Sequence, residues 1–438
     1  MAKVRLQLPR GMRDYPPEEK LLREELVSLL KEIFERYGFN PIETPLVERF
    51  EILAAKYGGG EEILKETFRL RDQGGRELGL RYELTTSLAR FVGMNPTLKR
   101  PFKAYQIGPV FRDGPIKRGR LRQFWQCDVD TIGTKSLLAE AELLSLTLDF
   151  FSQVGLEVEI RLNHRRLLRE LVSIAEIPVE MADSVILSLD KLEKVGLEGV
   201  HEELIAKGIP AFSAERFIYF VENLLVDILG EAASSVTSLQ KVQVMQHRMK
   251  GGSQGLRELE ELLGDIEDDP RVVFTPALAR GLGYYTGTIF EVFLAKDSSE
   301  GSLAAGGRYD GLIGQFLGSD EEIPAVGISF GLEPIMEVIQ AERGTGRRSQ
   351  VELFVIPIGT VEESWKVVQK LRRAGVRTDM DLVGRGVSAN LEYANAYGIP
   401  YVIIIGSDEL AQGKVKLRDM VCGKEELLTI EEAISKLG

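Results

Sequence analysis

Residues 105–133 read YQIGPVFRDGPIKRGRLRQFWQCDVDTIG. Both ends alternate apolar and polar residues, and the middle is a basic loop bearing glycine and proline. A period of two marks a half-buried strand, and a Gly/Pro cluster between two such runs marks their connection. The stretch therefore reads as a strand, PFKAYQIGPVFRD, a loop, GPIKRGRLR, and a second strand, QFWQCDVDTIG. Two features point past packing. Arg112, Lys117, Arg118, Arg120 and Arg122 gather at the loop, and guanidinium forks suit phosphate oxygens. Gln126, Asp128 and Asp130 share one face of the second strand. Carboxylates there would hold an amino group or a donor-bearing ring nitrogen. A solvated basic turn and an exposed strand face account for the same residues, so both readings stay open at this point.

Upstream, Leu21, Leu22, Leu26, Leu29, Leu30, Ile33 and Phe34 recur at helical spacing, which predicts a helix over 17–37 stopped by Gly38. A proline-punctuated segment, FNPIETPLVE, follows. Residues 66–82 predict a hairpin around Gln73-Gly74-Gly75, and a helix runs from about Thr86 to Gly93. Downstream, a helix covers 136–153 and a strand 156–162. Residues 165–265 are mostly helical in pattern and read as an insertion or a small helical domain. Strand-like sequence returns in VVFTPALARGLGYYTGTIFEVFLA, where Arg280, Tyr284 and Tyr285 sit among glycines. Glycine inside a strand marks close approach of a ligand or another backbone. Gly306 and Gly307 in AAGGRYDG raise the same expectation. PAVGISFGLEPIMEVI reads as a strand entering a helix, and 344–349 as a polar linker. Beyond it, strands such as VELFVIPI and YVIIIG alternate with helices, which predicts a compact α/β domain with a sheet covered on both faces.

Composition narrows the function. At roughly 100–200 residues per domain, 438 residues predict two to four domains. A net charge of −12 argues against nucleic-acid binding over the whole surface, while a local basic face stays possible. Cys127 and Cys422 form neither a disulfide framework nor a zinc spacing, and His164, His201 and His247 are scattered. No protein metal site is expected, and a divalent ion would arrive with a substrate phosphate. No apolar run approaches the ~20 residues of a membrane helix. The first residues lack the apolar core of a secretory signal, so a cytoplasmic location is expected. Neither GxxxxGK[ST] nor GxGxxG after a strand occurs. Arginines for phosphate and carboxylates for an amine suit a site for ATP and an amino acid, acting by positioning and charge stabilisation.

The order and wording of these segments resemble the histidyl-tRNA synthetases, a family of class II aminoacyl-tRNA synthetases, nearly end to end. PRGMRDYPPEE is similar to the family's opening, and the first helix through Pro45 to motif 1, its dimer-forming element. Residues 105–133 resemble motif 2, and LARGLGYYTGTIFE and AAGGRYDGL the two histidine-specific motifs. PAVGISFGLEPI stands in the place of motif 3. The resemblance implies an α+β chain: an antiparallel-sheet catalytic core in 1–164 and 266–343, a helical insertion in 165–265, and an anticodon-binding α/β domain in 350–438. It implies a homodimer that uses ATP with Mg2+ to make histidyl-adenylate from L-histidine, then passes the histidyl group to the 3′ end of tRNA-His.

Carried over by position, Arg112 would hold the α-phosphate, and Arg280 the charge at the carboxylate–phosphate junction. Arg120 in the motif 2 loop would face ATP or the acceptor end. Glu83, Thr85 and Gln126 would bind the amino side of histidine, and Asp130, with Tyr284 or Tyr285 and Tyr309, the imidazole. Two positions depart from the family pattern. Pro334 stands where motif 3 usually carries arginine, which leaves Arg118 as a candidate for the phosphate charge. Gly283 stands where the family usually has aspartate. The competing reading is a paralogue that does not aminoacylate, such as the histidine-sensing regulatory subunit of ATP phosphoribosyltransferase, which generally lacks the anticodon-binding domain. Arg372, Arg373, Arg377 and Arg385 are basic candidates for anticodon contact, and exposed helix and loop charge explains them equally.

Overall fold

The computed structural model describes residues 6–55, 64–116, 121–230, 235–249, 252–281, 283–296, 301–318, 322–344, 346 and 348–437. Two compact units form, Met1–Arg13 with Leu26–Glu337, and Asp14–Glu25 with Val338–Gly438.

The first unit is built on an 8-stranded sheet. Its order across the sheet is Asn40–Pro41, Phe102–Phe111, Gln123–Ile132, Ala325–Gly331, Ala304–Arg308, Thr288–Leu294, Val158–His164 and Val272–Phe274. The two outermost pairings are parallel and the five between them antiparallel. The sheet is therefore mixed rather than wholly antiparallel, because Asn40–Pro41 and Val272–Phe274 are edge strands reached by long connections and not by hairpins.

Strand pleating divides the sheet into two chemistries. One face carries Tyr105, Cys127, Val129, Phe330 and Phe290. Phe330 is its centre, with ring centroids 5.8 Å from Phe34, 5.4 Å from Phe150 and 6.1 Å from Phe151. The last two rings belong to Leu138–Val154, a helix buried along most of its length, ended by Gly155 in the left-handed conformation (φ 72°). Only glycine adopts that backbone without a Cβ penalty. The other face carries Gln106, Gln126, Asp128, Asp130, Ser329 and Glu291.

Residues 278–281 and 283–287 are not a strand, contrary to the alternating pattern; the ladder begins at Thr288. Some of their backbone groups, and one just before them, go to side chains instead. Asn163 Nδ2 donates to the carbonyls of Pro276 and Leu278, each at 2.8 Å. The Leu278 carbonyl spent on Asn163 is not available to a neighbouring strand, and the Thr286 amide pairs with the Arg308 carbonyl only as the ladder is about to start.

The described residues of 165–265 are mostly helical and include the helices Arg165–Ile174, Ala182–Leu189 and Leu192–Ala206. His164 caps the first: its Nδ1 accepts the Arg166 amide at 3.1 Å while Nε2 meets Glu258 at 2.8 Å. In the second unit a 5-stranded sheet pairs Leu353–Pro357 with Thr378–Met380 and Tyr401–Ile405 in parallel, then adds Val415–Asp419 and Glu425–Leu428 antiparallel. Leu353, Val355, Ile403 and Ile405 bury on one side, and Phe354, Ile356, Val402 and Ile404 on the other.

Candidate active site on the polar face of the sheet

The floor of the site is the row Gln126, Asp128, Asp130. Each lies opposite a small residue on the neighbouring strand: Gly331, Ser329 and Gly327. The smallness is required. A Cβ on Gly327 would sit 1.8 Å from Asp130 Oδ1. Across the next strand, a Cβ on Gly307 would sit 2.9 Å from the Tyr285 ring. A Cβ on Gly306 would meet the Gly327 carbonyl at 2.1 Å and Phe290 at 2.6 Å. Gly306 and Gly307 thus admit neighbouring backbone, the Gly327 and Thr288 carbonyls, with the Phe290 and Tyr285 rings beside them, and Gly327 admits the Asp130 carboxylate. Gln126 Nε2 donates to Ser329 Oγ at 2.8 Å, and its buried Oε1 has no hydrogen-bond partner. A buried acceptor without a donor is costly in the free protein, and suits an incoming ammonium group.

At the inner end, Tyr309 OH donates to Asp130 Oδ1 at 2.6 Å. Burial, and then the Asp130 charge, push the Tyr309 pKa well above the ordinary phenol value, so it stays a donor. Tyr284 stacks on Tyr285 with centroids 4.7 Å apart and meets Tyr309 edge-on at 6.2 Å. The Arg280 guanidinium lies 6.0 Å from the Tyr285 ring and pairs with Glu291. Burial disfavours the Arg280 charge, but Tyr285, Glu291 and Tyr284 outweigh it and hold the pKa above the usual arginine value.

At the outer end, Arg112 follows the strand Phe102–Phe111. Its guanidinium lies 4.4 Å from the Tyr82 ring and 4.9 Å from the Phe124 ring, and Nε donates to the Tyr82 carbonyl at 3.3 Å. Cation–π contact on both rings keeps the fork extended without consuming its donors. Tyr82 is fixed in turn, its hydroxyl donating to Glu66 at 3.1 Å. Glu83 joins the two ends. Its Oε1 accepts from Thr86 Oγ1 at 2.7 Å, and its charge acts on both Tyr82 and Tyr285. Thr85 opens the helix Thr85–Met94 beside it, half-buried.

The structure thus brings Glu83, Gln126, Asp130, Arg280, Tyr284, Tyr285 and Tyr309 to one face, with Thr85 and Arg112 at its rim. Arg118 and Arg120 lie outside the described residues. Three residues that hold the arrangement together were missed. Glu291 was legible as a lone acid in the apolar run TIFEVF, since an unpaired charge is rarely left on a buried strand. Arg308 was read as part of a motif; it is a buried tie, donating to both Glu140 oxygens at 2.6 Å. Tyr82 gave no signal, because its role needs Arg112 above it.

Pro334 occupies the first turn of Leu332–Arg343, where an amide has no helical partner to lose. Its neighbour Glu333 is buried and accepts the Trp125 amide at 2.9 Å, tying this helix to the floor strand. Gly283 has no heavy atom within 4 Å of a built Cβ. Among the described residues no group of three His, Cys, Asp or Glu side chains converges on a metal position, and no helix is long and apolar enough to cross a membrane.

The Histidyl-tRNA synthetase family model matches residues 11–335, and the Anticodon binding domain model matches 352–438. Histidine–tRNA ligase 1 of Bacillus cereus is 42% identical over 417 residues, spanning 95% of this chain and 96% of the relative. The crystal structure of histidyl-tRNA synthetase from Nostoc sp. PCC 7120 superposes with a TM-score of 0.83 at 30% identity, covering 99% of each chain. An ATP phosphoribosyltransferase regulatory subunit/histidyl-tRNA synthetase structure from Bacillus halodurans C shares the fold, with a TM-score of 0.72 at 22% identity over 92% of this chain and 100% of that one. With both models in place and similarity running end to end, the chain belongs to the histidyl-tRNA synthetase family, the histidine–tRNA ligases.

Proposed function

We propose that the histidine–tRNA ligase chemistry of this chain runs on the polar sheet face, with Arg112 and Arg280 at its two ends. Histidine lies with its ammonium toward Glu83, Thr85 and Gln126, and its imidazole among Tyr284, Tyr285, Tyr309 and Asp130. Its carboxylate oxygen attacks the α-phosphorus of ATP, the bond to the bridging oxygen breaks, and pyrophosphate leaves. Arg112 meets the α-phosphate oxygens, and Arg280 the charge that builds where carboxylate and phosphate join. In the second step the terminal ribose hydroxyl of tRNA-His attacks the histidyl carbonyl, and AMP leaves. The chain's contribution is placement and fixed charge, which stabilises a transition state without reorganisation. The observation that carries this reading is the Tyr309–Asp130 bond inside the tyrosine cluster that also touches Arg280. A buried anionic acceptor of that kind rejects ring analogues lacking an N–H.

Magnesium enters with the ATP phosphates in this reading. The described carboxylates supply no three-donor cage, so no step is routed through a protein-held ion. Arg118 and Arg120 complete the ATP side. The working division is a core in 1–164 and 266–343, an insertion in 165–265 and an anticodon-binding part in 350–438. A cytoplasmic homodimer is the proposed working form, and light scattering of the purified protein tests the dimer. Histidine-dependent ATP–pyrophosphate exchange, with other amino acids as controls, tests the activity. Exchange with histidine alone supports the reading. A folded protein that binds histidine without exchange overturns it in favour of the histidine-sensing paralogue.

A further inference from the structure

One peptide plane of the arginine loop is gripped at both ends. The carbonyl of Arg280 accepts Arg165 Nη1 at 3.4 Å, and the amide of Gly281, the other half of the same peptide, donates to Asp190 Oδ1 at 2.9 Å. Both grips trace to one helix, Ala182–Leu189. Asp190 is the residue that ends it, and Asp183 in its first turn accepts Arg165 Nη2 at 2.9 Å. Arg165 is itself buried and anchored, its amide donating to the Gly287 carbonyl at 2.8 Å. The shorter of the two grips is the one made by Asp190. Position 281 is also shaped for it: a Cβ there would lie 2.7 Å from Asp190 Oδ2 and 3.2 Å from its Cγ.

We propose that Asp190, carried by the helical segment and not by the sheet, is a positioning residue for Arg280. By accepting the Gly281 amide it fixes the peptide from which the arginine springs, and so sets where the guanidinium meets the reacting carboxylate and phosphate. Glu291 fixes the far end of the same side chain. Arg280 is thereby held at its root by the helical segment and at its tip by the sheet. A shift of the helix Ala182–Leu189 would move the arginine's root.

This inference rests on the proposed role of Arg280, and two readouts keep the claims apart. The first is exchange kinetics of Asp190→Ala, Asp190→Asn and Gly281→Ala. Removing the acceptor is expected to lower kcat about tenfold with both KM values within about twofold, the signature of a contact that matters only in the transition state. Asp190→Asn keeps an oxygen acceptor and is expected to retain kcat within about threefold of the parent. Gly281→Ala crowds the same carboxylate from the other side and is expected to match Asp190→Ala. The second readout is hydrogen–deuterium exchange of the peptide covering 278–284, expected to quicken in Asp190→Ala while peptides from the floor strand stay as they were. Parental kcat and unchanged protection in Asp190→Ala would overturn the inference, as would an Asp190→Asn variant as impaired as the alanine. A parent protein without histidine-dependent exchange overturns the functional reading instead, and the deuterium result still decides whether Asp190 holds the loop.

Discussion

In the C-terminal sheet, Phe354 and Val355 point to opposite faces and both are buried in apolar clusters. In the central sheet, Cys127 is buried on the face it shares with Phe330, while its neighbours Gln126 and Asp128 face the other way. Both sheets obey the same two-residue period. They differ in what covers the second face. A strand apolar on both sides gives its whole surface to stability and leaves no room for a substrate. A strand apolar on one side can carry a row of donors and acceptors, provided the strands beside it are cleared. Gly327 and Gly307 do that clearing for Asp130 and Tyr285. Substitutions in the two sheets should therefore separate stability from chemistry.

Phe354→Ala carries the largest expected effect. Phe354 is fully buried and packs 5.2 Å from the Tyr393 ring. Truncating a buried phenylalanine costs about 3–5 kcal/mol. Calorimetry should show a transition at lower temperature, while histidine-dependent pyrophosphate exchange, measured below it, stays at the parental level. Loss of exchange in this variant would break the contrast between the sheets.

Arg280→Ala tests the opposite case. Loss of a transition-state charge partner should lower exchange by about 10²–10³-fold, or ~2.7–4 kcal/mol. It also strands Glu291, so some stability should go with it. The double variant Arg280→Ala/Glu291→Gln separates the two, with melting temperature expected to recover and activity not. Recovery of activity in the double variant would assign Arg280 to packing alone.

Tyr309→Phe is expected to be milder. It removes the hydroxyl that donates to Asp130 and leaves a buried carboxylate oxygen short of a donor, at about 1–3 kcal/mol. If the pair reads the imidazole, the KM for histidine should rise about tenfold with the KM for ATP unmoved. A lowered melting temperature with an unmoved histidine KM would make the bond an ordinary core contact.

How much of this the sequence showed depends on the range of the interaction. Local periodicity placed the floor strand and its acidic row, because Gln126, Asp128 and Asp130 are two apart whatever surrounds them. The wording of the motifs brought Glu83, Arg280 and Tyr309 into one site although they lie far apart along the chain. The arginine loop misled, since its alternation satisfied a strand template while Asn163, over a hundred positions away, took its carbonyls. Glu291, Arg308 and Asp190 escaped for the same reason. Each acts through a partner on another element, and no pattern within a short window encodes that partner. Gly306 and Gly307 were noticed for the right reason, since backbone carbonyls approach both, but a missing Cβ says that something approaches and not which residue.

The smallest expected effect bears on that last point. Gly327 and Gly283 are both glycines of the catalytic unit, but only one is crowded. At Gly327 a Cβ would overlap Asp130, whereas at Gly283 it would meet nothing within 4 Å. Gly283→Asp should therefore fold normally, and it supplies the aspartate that the resemblance in sequence leads one to expect there. Arg280 already has Glu291 at its tip, and the Gly281 amide already has Asp190. A further carboxylate at an exposed position should then change exchange by less than about threefold, the ~0.7 kcal/mol scale of a surface charge pair. A gain of tenfold or more would mean that the arginine loop is short of an anchor. In that case the grip from the helical segment would be an incomplete replacement for the missing aspartate, and Asp190→Ala should lose its effect in the Gly283→Asp background.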